Sequence, residues 1–253
     1  MTAYVSPFCL PLLESRKMKR TGFCQIFLGG GALAALVPVV NMAVRAETFT
    51  SQPGSPFQIL METNWQLMAQ LNIFILVCGA CLLYHTEYAD NAIQKAQSLP
   101  LSPSGLFLGK LGILLTACLI PLCLETASLT LCCMHWFPDR PGESLRILTG
   151  MAFEFAMLLP TGAAMLFISS MCRNMWISLG AGVILVFFAS MLPASSSSVS
   201  DVLALVPFCG PYRMLHELPG REAALCTVCL CLGEVVLLCA AERVYQSIRR
   251  CFA

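Results

Sequence analysis

The chain has 253 residues, of which 57% are hydrophobic and 11% are charged. Soluble domains carry about a quarter charged residues, so this composition excludes an ordinary soluble protein and indicates an integral membrane protein. The formal net charge of +1 argues against a nucleic-acid partner. The length fits a single membrane domain, residues 1–253, with no folded soluble domain beside it.

The N-terminal segment, residues 1–22, places leucines beside a basic cluster that runs from Arg16 to Arg20. Basic residues next to an apolar face suit a helix that lies in the anionic headgroup layer, so we expect an interfacial helix here. A signal peptide is the alternative interpretation. The apolar stretch that follows, residues 23–44, is too long for one, and no small-residue cleavage pattern comes after it.

Apolar runs follow that can each cross a hydrocarbon core of about 30 Å at about 1.5 Å per residue. The predicted spans are residues 23–44, 65–84, 106–134, 145–172, 175–193 and 222–241. Pro38, Pro121 and Pro160 fall inside spans and predict kinks. The glycines at 29–31 give the first span a thin face for close packing. The predicted fold is therefore an all-α polytopic membrane protein with six transmembrane helices.

The basic residues divide unevenly between the two sides of such a bundle. With the N-terminus inside, ten of the fifteen are cytoplasmic: Arg16, Lys17, Lys19, Arg20, Lys95, Lys110, Arg173, Arg243, Arg249 and Arg250. The remaining five are outside: Arg45, Arg140, Arg146, Arg213 and Arg221. The positive-inside rule therefore predicts that both termini are cytoplasmic.

The long polar interval on the cytoplasmic side, residues 85–105, predicts a short amphipathic helix followed by a turn. Its apolar face consists of Tyr88, Ala92, Ile93, Ala96 and Leu99. Its polar face consists of Glu87, Asp90, Gln94 and Gln97. Pro100 and Pro103 end this helix, because proline lacks the amide hydrogen that a continuing helix needs. The helix could receive force from a cytoplasmic partner, and a plain helical connecting loop is the alternative.

The outer loops have a less regular pattern. They are predicted at residues 45–64, 135–144 and 194–221. The last loop contains a serine tract and an apolar stretch interrupted by Pro207, Pro211 and Pro219. Its pieces, of about 12 residues or fewer, are too short to span a bilayer. This pattern predicts a broken re-entrant segment before the last helix, with a loop resting on the headgroups as the alternative.

Motifs for catalysis or nucleotide binding are missing from the sequence. The nearest pattern, Gly105 to Lys110, is one residue short of the P-loop spacing and lacks the Ser or Thr after the lysine. The Cys-x-x-Cys pairs that begin at Cys78 and Cys226 have metal-ligand spacing but lie in apolar runs without histidine. The sequence therefore predicts a protein that is not an enzyme and has no metal site.

Glu125, Glu154 and Glu234 lie within apolar runs. A charge in the bilayer costs at least about 2.5 kcal/mol, so each should face the bundle interior or be protonated. Glu125 and Glu154 fall toward the outer half, where they could line a path for a cationic substrate, and Glu234 is a third candidate for this path. The alternative is an interhelical hydrogen bond from each to a Ser, Thr or Asn.

Two stretches resemble type-2 ABC transporter permeases. Residues 13–21 are similar to the acidic-then-basic segment before the first span of that family. Glu87, the amphipathic turn after it, residues 98–102 and Lys110 at the start of the third span resemble the family's first cytoplasmic loop. In its length and its lack of a fused ATPase, the chain is most similar to the lantibiotic-immunity and bacitracin-type permeases.

The resemblance implies a function, partners and site residues. The chain would be the permease subunit of an ATP-driven exporter that expels a lantibiotic or a similar cationic peptide. The first cytoplasmic loop would dock on an ABC ATPase dimer through Glu87, Tyr88, Asp90, Ala92, Ile93, Gln94 and Ala96. ATP and Mg would be bound by that dimer, a second permease subunit would complete the complex, and the location would be a bacterial plasma membrane. Alternatives are a permease of another small-molecule or drug efflux system, and a membrane sensor without transport.

Overall fold

A computed structural model describes residues 18, 21–89, 103–138, 143–172, 174–192, 206–213 and 220–251. In these ranges the α-helices are α1 Phe23–Thr50, α2 Pro56–Ala89, α3 Pro103–Trp136, α4 Ser144–Met171, α5 Met175–Met191 and α6 Arg221–Cys251. A short 3-10 helix, η1 Gly210–Arg213, precedes α6. Among these described helices, five are long and apolar enough to cross a membrane, and α5 is a shorter apolar helix of 17 residues. The predicted all-α polytopic fold is confirmed.

The first two helices extend further than the sequence predicts. Because α1 continues to Thr50 and α2 begins at Pro56, only residues 51–55 connect them. The predicted outer loop at 45–64 is therefore wrong for most of its length. The hydropathy pattern ends at Arg45, where charged residues begin, but the helix itself continues beyond that point. Pro56 takes the first helical position, where its missing amide hydrogen costs no intrahelical bond.

Prolines lie within three of the helices, as the sequence predicts. Pro38 is inside α1, Pro121 inside α3 and Pro160 inside α4. In α1 the backbone leaves helical geometry at Arg45, with φ −130° and ψ 31°, whereas Pro38 keeps helical dihedral angles. The bend in α1 thus lies at the charged end of its apolar stretch.

Helices α2 and α4 form the centre of the bundle. Helix α2 contacts α1, α3, α4 and α5, and α4 also contacts α3 and α6. The buried share of the apolar stretch is 67% in both α2 and α4, but 6% in α6. Side chains in the apolar stretches of α2 and α4 therefore face other helices much more often than those of α6 do.

The glycine run of α1 brings this helix close to α2 and α3. A Cβ atom placed on Gly30 would lie 2.5 Å from Cγ1 of Ile75 in α2. One placed on Gly31 would lie 2.7 Å from Cα of Pro121 in α3, whereas Gly29 faces open space. Two of the three glycines therefore occupy the close-packing positions that the sequence predicts.

We expect Gly31→Ala to lower the free energy of unfolding by about 1–2 kcal/mol, as overpacking does in tight interfaces. The obstructing atom belongs to the backbone of Pro121 and cannot rotate away. Gly29→Ala is the matched control, and it should be neutral or slightly stabilising because alanine is the better helix former. Denaturant titration of both variants in mixed micelles makes the comparison. Equal losses for the two variants would contradict this assignment of the α1–α3 contact.

Candidate functional site

A polar group at the centre of the bundle joins Asn72 of α2, Glu125 of α3 and Glu154 of α4. The Nδ2 atom of Asn72 donates hydrogen bonds to Oε2 of Glu125 at 3.0 Å and to Oε1 of Glu154 at 2.7 Å. The exposed fraction is 0% for both glutamates and 2% for Asn72. We call these three residues the Asn72 cluster.

The cluster unites two of the three glutamates that the sequence singles out. Their shared hydrogen-bond donor is an asparagine on a neighbouring helix, which corresponds to the structural alternative for intramembrane acids. Because neither carboxyl group is exposed, neither lines an open path in this conformation. A role for Glu125 and Glu154 in a substrate path stays a prediction.

Several buried oxygen atoms of the cluster have no hydrogen-bond partner. They are Oδ1 of Asn72, Oε1 of Glu125 and Oε2 of Glu154. Within the described ranges, neither carboxyl group forms an ion pair with a lysine, arginine or histidine. The Asn72 cluster is thus rich in acceptors and has one amide group as its donor.

Glu234, the third predicted site residue, lies apart from the other two. It is a partly exposed residue of α6, a helix that packs against α4 and α3 along a narrow strip of its surface. The grouping of all three glutamates along one path is therefore not seen in this conformation.

The predicted coupling segment begins within α2. Helix α2 continues unbroken to Ala89, so Glu87 and Tyr88 belong to the last turn that the structure describes. The prediction that a separate short helix starts near Glu87 is wrong at that end, because residues 85–89 contain no glycine or proline that would end α2. The remaining predicted coupling residues lie outside the described residues: Asp90, Ala92, Ile93, Gln94 and Ala96.

Polar contacts connect the helix ends on both sides of this segment. The hydroxyl of Tyr88 in α2 donates a hydrogen bond to the carbonyl oxygen of Ser170 in α4 at 2.7 Å. The fully buried Nζ atom of Lys110 in α3 donates to the carbonyl oxygen of Leu83 in α2 at 3.0 Å. It also lies 5.2 Å from the ring centre of Tyr84. We call these interactions the loop-base contacts.

A second set of polar contacts adds α5 to the same end of the bundle. Ser169 of α4 and Ser178 of α5 have their hydroxyl oxygens 2.9 Å apart. The Cys81 thiol of α2 donates to the Ser178 hydroxyl at 3.4 Å. A displacement of the end of α2 therefore acts on α4 and α5 through side-chain hydrogen bonds as well as through apolar packing.

The described part of the loop between α5 and α6, residues 206–213, packs between helices. The indole Nε1 atom of Trp65 in α2 donates to the carbonyl oxygen of Pro211 at 2.9 Å. The hydroxyl of Thr161 in α4 donates to the carbonyl oxygen of Pro207. Because Thr161 lies beyond the midpoint of α4, this segment reaches well into the bundle from the side where α4 begins.

Asn72 and the buried position of Lys110 were missed by the sequence analysis. Asn72 has a detectable signal, since a polar side chain inside an apolar run needs a partner on another helix. Lys110 enters the sequence analysis through the orientation count, the incomplete P-loop pattern and the family resemblance, and none of these predicts its burial. Its burial depends on the carbonyl of Leu83 and the ring of Tyr84, which no spacing rule brings together.

The bundle of long apolar helices defines a multi-pass membrane protein. The profile described as "ABC-2 family transporter protein" matches residues 12–189, more than half of the chain. The chain therefore belongs to this family, whose members are membrane permeases of ABC transporters and act with an ABC ATPase. Neither the curated proteins nor the solved structures gave a match.

Proposed function

We propose that the chain is the permease subunit of an ATP-driven exporter that expels a lantibiotic or a similar cationic antimicrobial peptide. The family match carries the proposal, because residues 12–189 include the loop at 85–105 and the helices on both sides of it. The cargo class is supported by the sequence resemblance to lantibiotic-immunity and bacitracin-type permeases. It is also supported by the two carboxyl groups inside the bundle.

In this proposal the segment around residues 87–97 receives force from the ATPase. ATP and Mg are bound by the ATPase dimer, and this chain supplies the docking residues: Glu87, Tyr88, Asp90, Ala92, Ile93, Gln94 and Ala96. The loop-base contacts support a lever at this position, since they fasten α2 to both α3 and α4. Movement of the loop then shifts these helices together and changes access to the bundle interior.

The cargo path in this proposal runs past Glu125 and Glu154, with Glu234 further along. Both carboxyl groups of the Asn72 cluster are fully buried, so this conformation is closed to the cargo. Separation of α2, α3 and α4 would expose them to a cationic side chain of the peptide. ATP hydrolysis would drive this alternation between the closed and the open state.

The proposed topology places both termini in the cytoplasm of a bacterium, with the helices in its plasma membrane. Ten of the fifteen basic residues support this orientation. We also propose a second permease subunit, identical or homologous. Helix α6 has only 6% of its apolar stretch buried, which leaves its surface for lipid or for that subunit.

Co-purification tests the proposal. The tagged chain, extracted from its native membrane, should bring an ABC ATPase with it. Reversal of two loop charges, Glu87→Lys with Asp90→Lys, should lower ATPase recovery about fivefold, since exposed charge pairs each contribute up to about 1 kcal/mol. The matched control is Glu47→Lys with Glu62→Lys. These residues lie near the C-terminal end of α1 and the N-terminal end of α2, away from the loop at 85–105, and their reversal should leave recovery unchanged.

The outcomes separate the parts of the proposal. If no ATPase co-purifies with the wild-type chain, or if the control pair lowers recovery as much as the loop pair, the coupling role is rejected. Resistance of cells to a lantibiotic, measured with and without the complex, tests the cargo separately. Unchanged resistance would reject the peptide cargo and leave the permease function standing.

A further inference from the structure

The Asn72 cluster raises a problem of charge. Glu125 and Glu154 are both fully buried and share one amide group, and no ion pair to either exists in the described part of the chain. A carboxylate in apolar surroundings is strongly unfavourable unless a cation balances it. Two carboxylates that share one site also repel each other, which further disfavours the doubly ionised form.

The same cluster raises a problem of hydrogen bonding. Asn72 directs its amide N–H groups to the two carboxyl groups, and its own Oδ1 atom is left without a donor. Oε1 of Glu125 and Oε2 of Glu154 also lack partners. Buried polar atoms are nearly always paired in folded proteins, so this group of acceptors indicates something that brings hydrogen-bond donors.

We propose that the Asn72 cluster is a proton-binding site, in which Glu125 and Glu154 hold at least one proton between them in the closed bundle. A protonated carboxyl group is neutral and carries an O–H donor. A proton taken from water therefore removes charge and supplies a donor beside the unpaired acceptors. Each bound proton thus lessens both problems at once, and it needs no residue from outside the cluster.

The groups around the pair leave this assignment intact. Asn72 faces it from α2 and carries no charge. From α3 the buried Cys118 thiol lies within electrostatic reach of Glu154, and a thiol brings no positive charge. Within the described residues, no group of three or more His, Cys, Asp or Glu side chains is arranged to hold a metal ion.

Proton binding would make the charge of the cluster depend on conformation. When α2, α3 and α4 separate and water enters, the proton passes to water and the pair becomes anionic. The site is then more negative in the open state than in the closed one, and it attracts a cationic group more strongly when open. The proton site itself does not rest on the exporter proposal, because it follows from the closed bundle alone.

Infrared difference spectroscopy of the full chain in lipid bilayers tests the proposal. At neutral pH, the wild-type spectrum minus that of Glu125→Gln with Glu154→Gln should show the C=O stretch of a protonated carboxyl group. The band should shift in D₂O, as an exchangeable proton requires. Glu234→Gln is the matched control, and a wild-type minus control spectrum should lack this cluster band.

Glutamine has the shape of a protonated glutamate, so each single variant is expected to fold even if the double variant does not. Loss of the band in either single variant supports the proposal. The proposal is overturned if no protonated-carboxyl band distinguishes the wild-type chain from the double variant, or from both single variants. It is equally overturned if only Glu234→Gln removes such a band. None of these readouts involves the ATPase or a peptide, so failure here is separate from failure of the exporter proposal.

Discussion

Asn72→Leu is expected to lower the free energy of unfolding by about 1–3 kcal/mol. The substitution removes the amide that donates to both Glu125 and Glu154, and no other described residue donates to these carboxyl groups. An unpaired buried polar group costs about 1–3 kcal/mol. Interhelical hydrogen bonds in membranes contribute about 0.6–1.7 kcal/mol each, so the loss of two bonds gives about 1–3 kcal/mol.

The matched control is Asn41→Leu, which removes one interhelical hydrogen bond, from Asn41 in α1 to Asn64 in α2 at 2.9 Å. Its expected cost is about 0.6 kcal/mol, the membrane average for one such bond. Denaturation in mixed micelles compares the two variants in the same lipid and detergent. If Asn72→Leu costs no more than Asn41→Leu, the cluster does not hold the three helices together.

A triple variant distinguishes the cost of unpaired hydrogen-bonding groups from the cost of a changed side-chain shape at position 72. Asn72→Leu combined with Glu125→Met and Glu154→Met replaces the whole cluster with apolar groups of similar size. Replacing all partners of a buried polar network is often neutral or stabilising, whereas removing one partner is costly. The triple variant should therefore recover most of the stability that Asn72→Leu loses, although it should not support transport.

The helix layout was largely predictable because a bilayer imposes one length on every crossing. For α4 the apolar run 145–172 predicts the observed Ser144–Met171 to within one residue at each end. Errors occur where a helix continues beyond the apolar run. Helix α6 was predicted at 222–241 and continues to Cys251, because polar residues that follow an apolar stretch can still extend its helix.

The site was predictable only in part, for a geometric reason. The cost of burying a charge indicates that Glu125 and Glu154 face the interior, and they do. Their partner depends on the depth and rotation of α2 relative to α3 and α4. A boundary error of one residue turns a helix by about 100°, given 3.6 residues per turn. Hydropathy alone therefore cannot choose Asn72 over another polar residue such as Asn64.

Under the exporter proposal, Tyr88→Phe is expected to reduce the resistance of cells to the exported peptide about tenfold, while ATP hydrolysis by the complex continues. The variant keeps the ring, which lies 6.5 Å from the ring of Tyr84, and removes the hydroxyl that donates to the carbonyl of Ser170. One neutral hydrogen bond contributes about 0.5–1.5 kcal/mol, and 1.4 kcal/mol corresponds to a factor of about ten in coupling between two sites. Weaker attachment of α2 to α4 lets the loop move without carrying α4 with it.

The ratio of transport to ATP hydrolysis is the measurement, because a folding defect would lower both quantities together. Tyr245→Phe in α6 is the matched control. Its ring packs edge-on against Phe167 of α4, with centres 6.1 Å apart, so the same substitution keeps that contact and leaves the loop base unchanged. An unchanged ratio in Tyr88→Phe would show that force reaches α4 by another route. An equal fall in both tyrosine variants would show that the hydroxyl at the loop base has no special role in coupling.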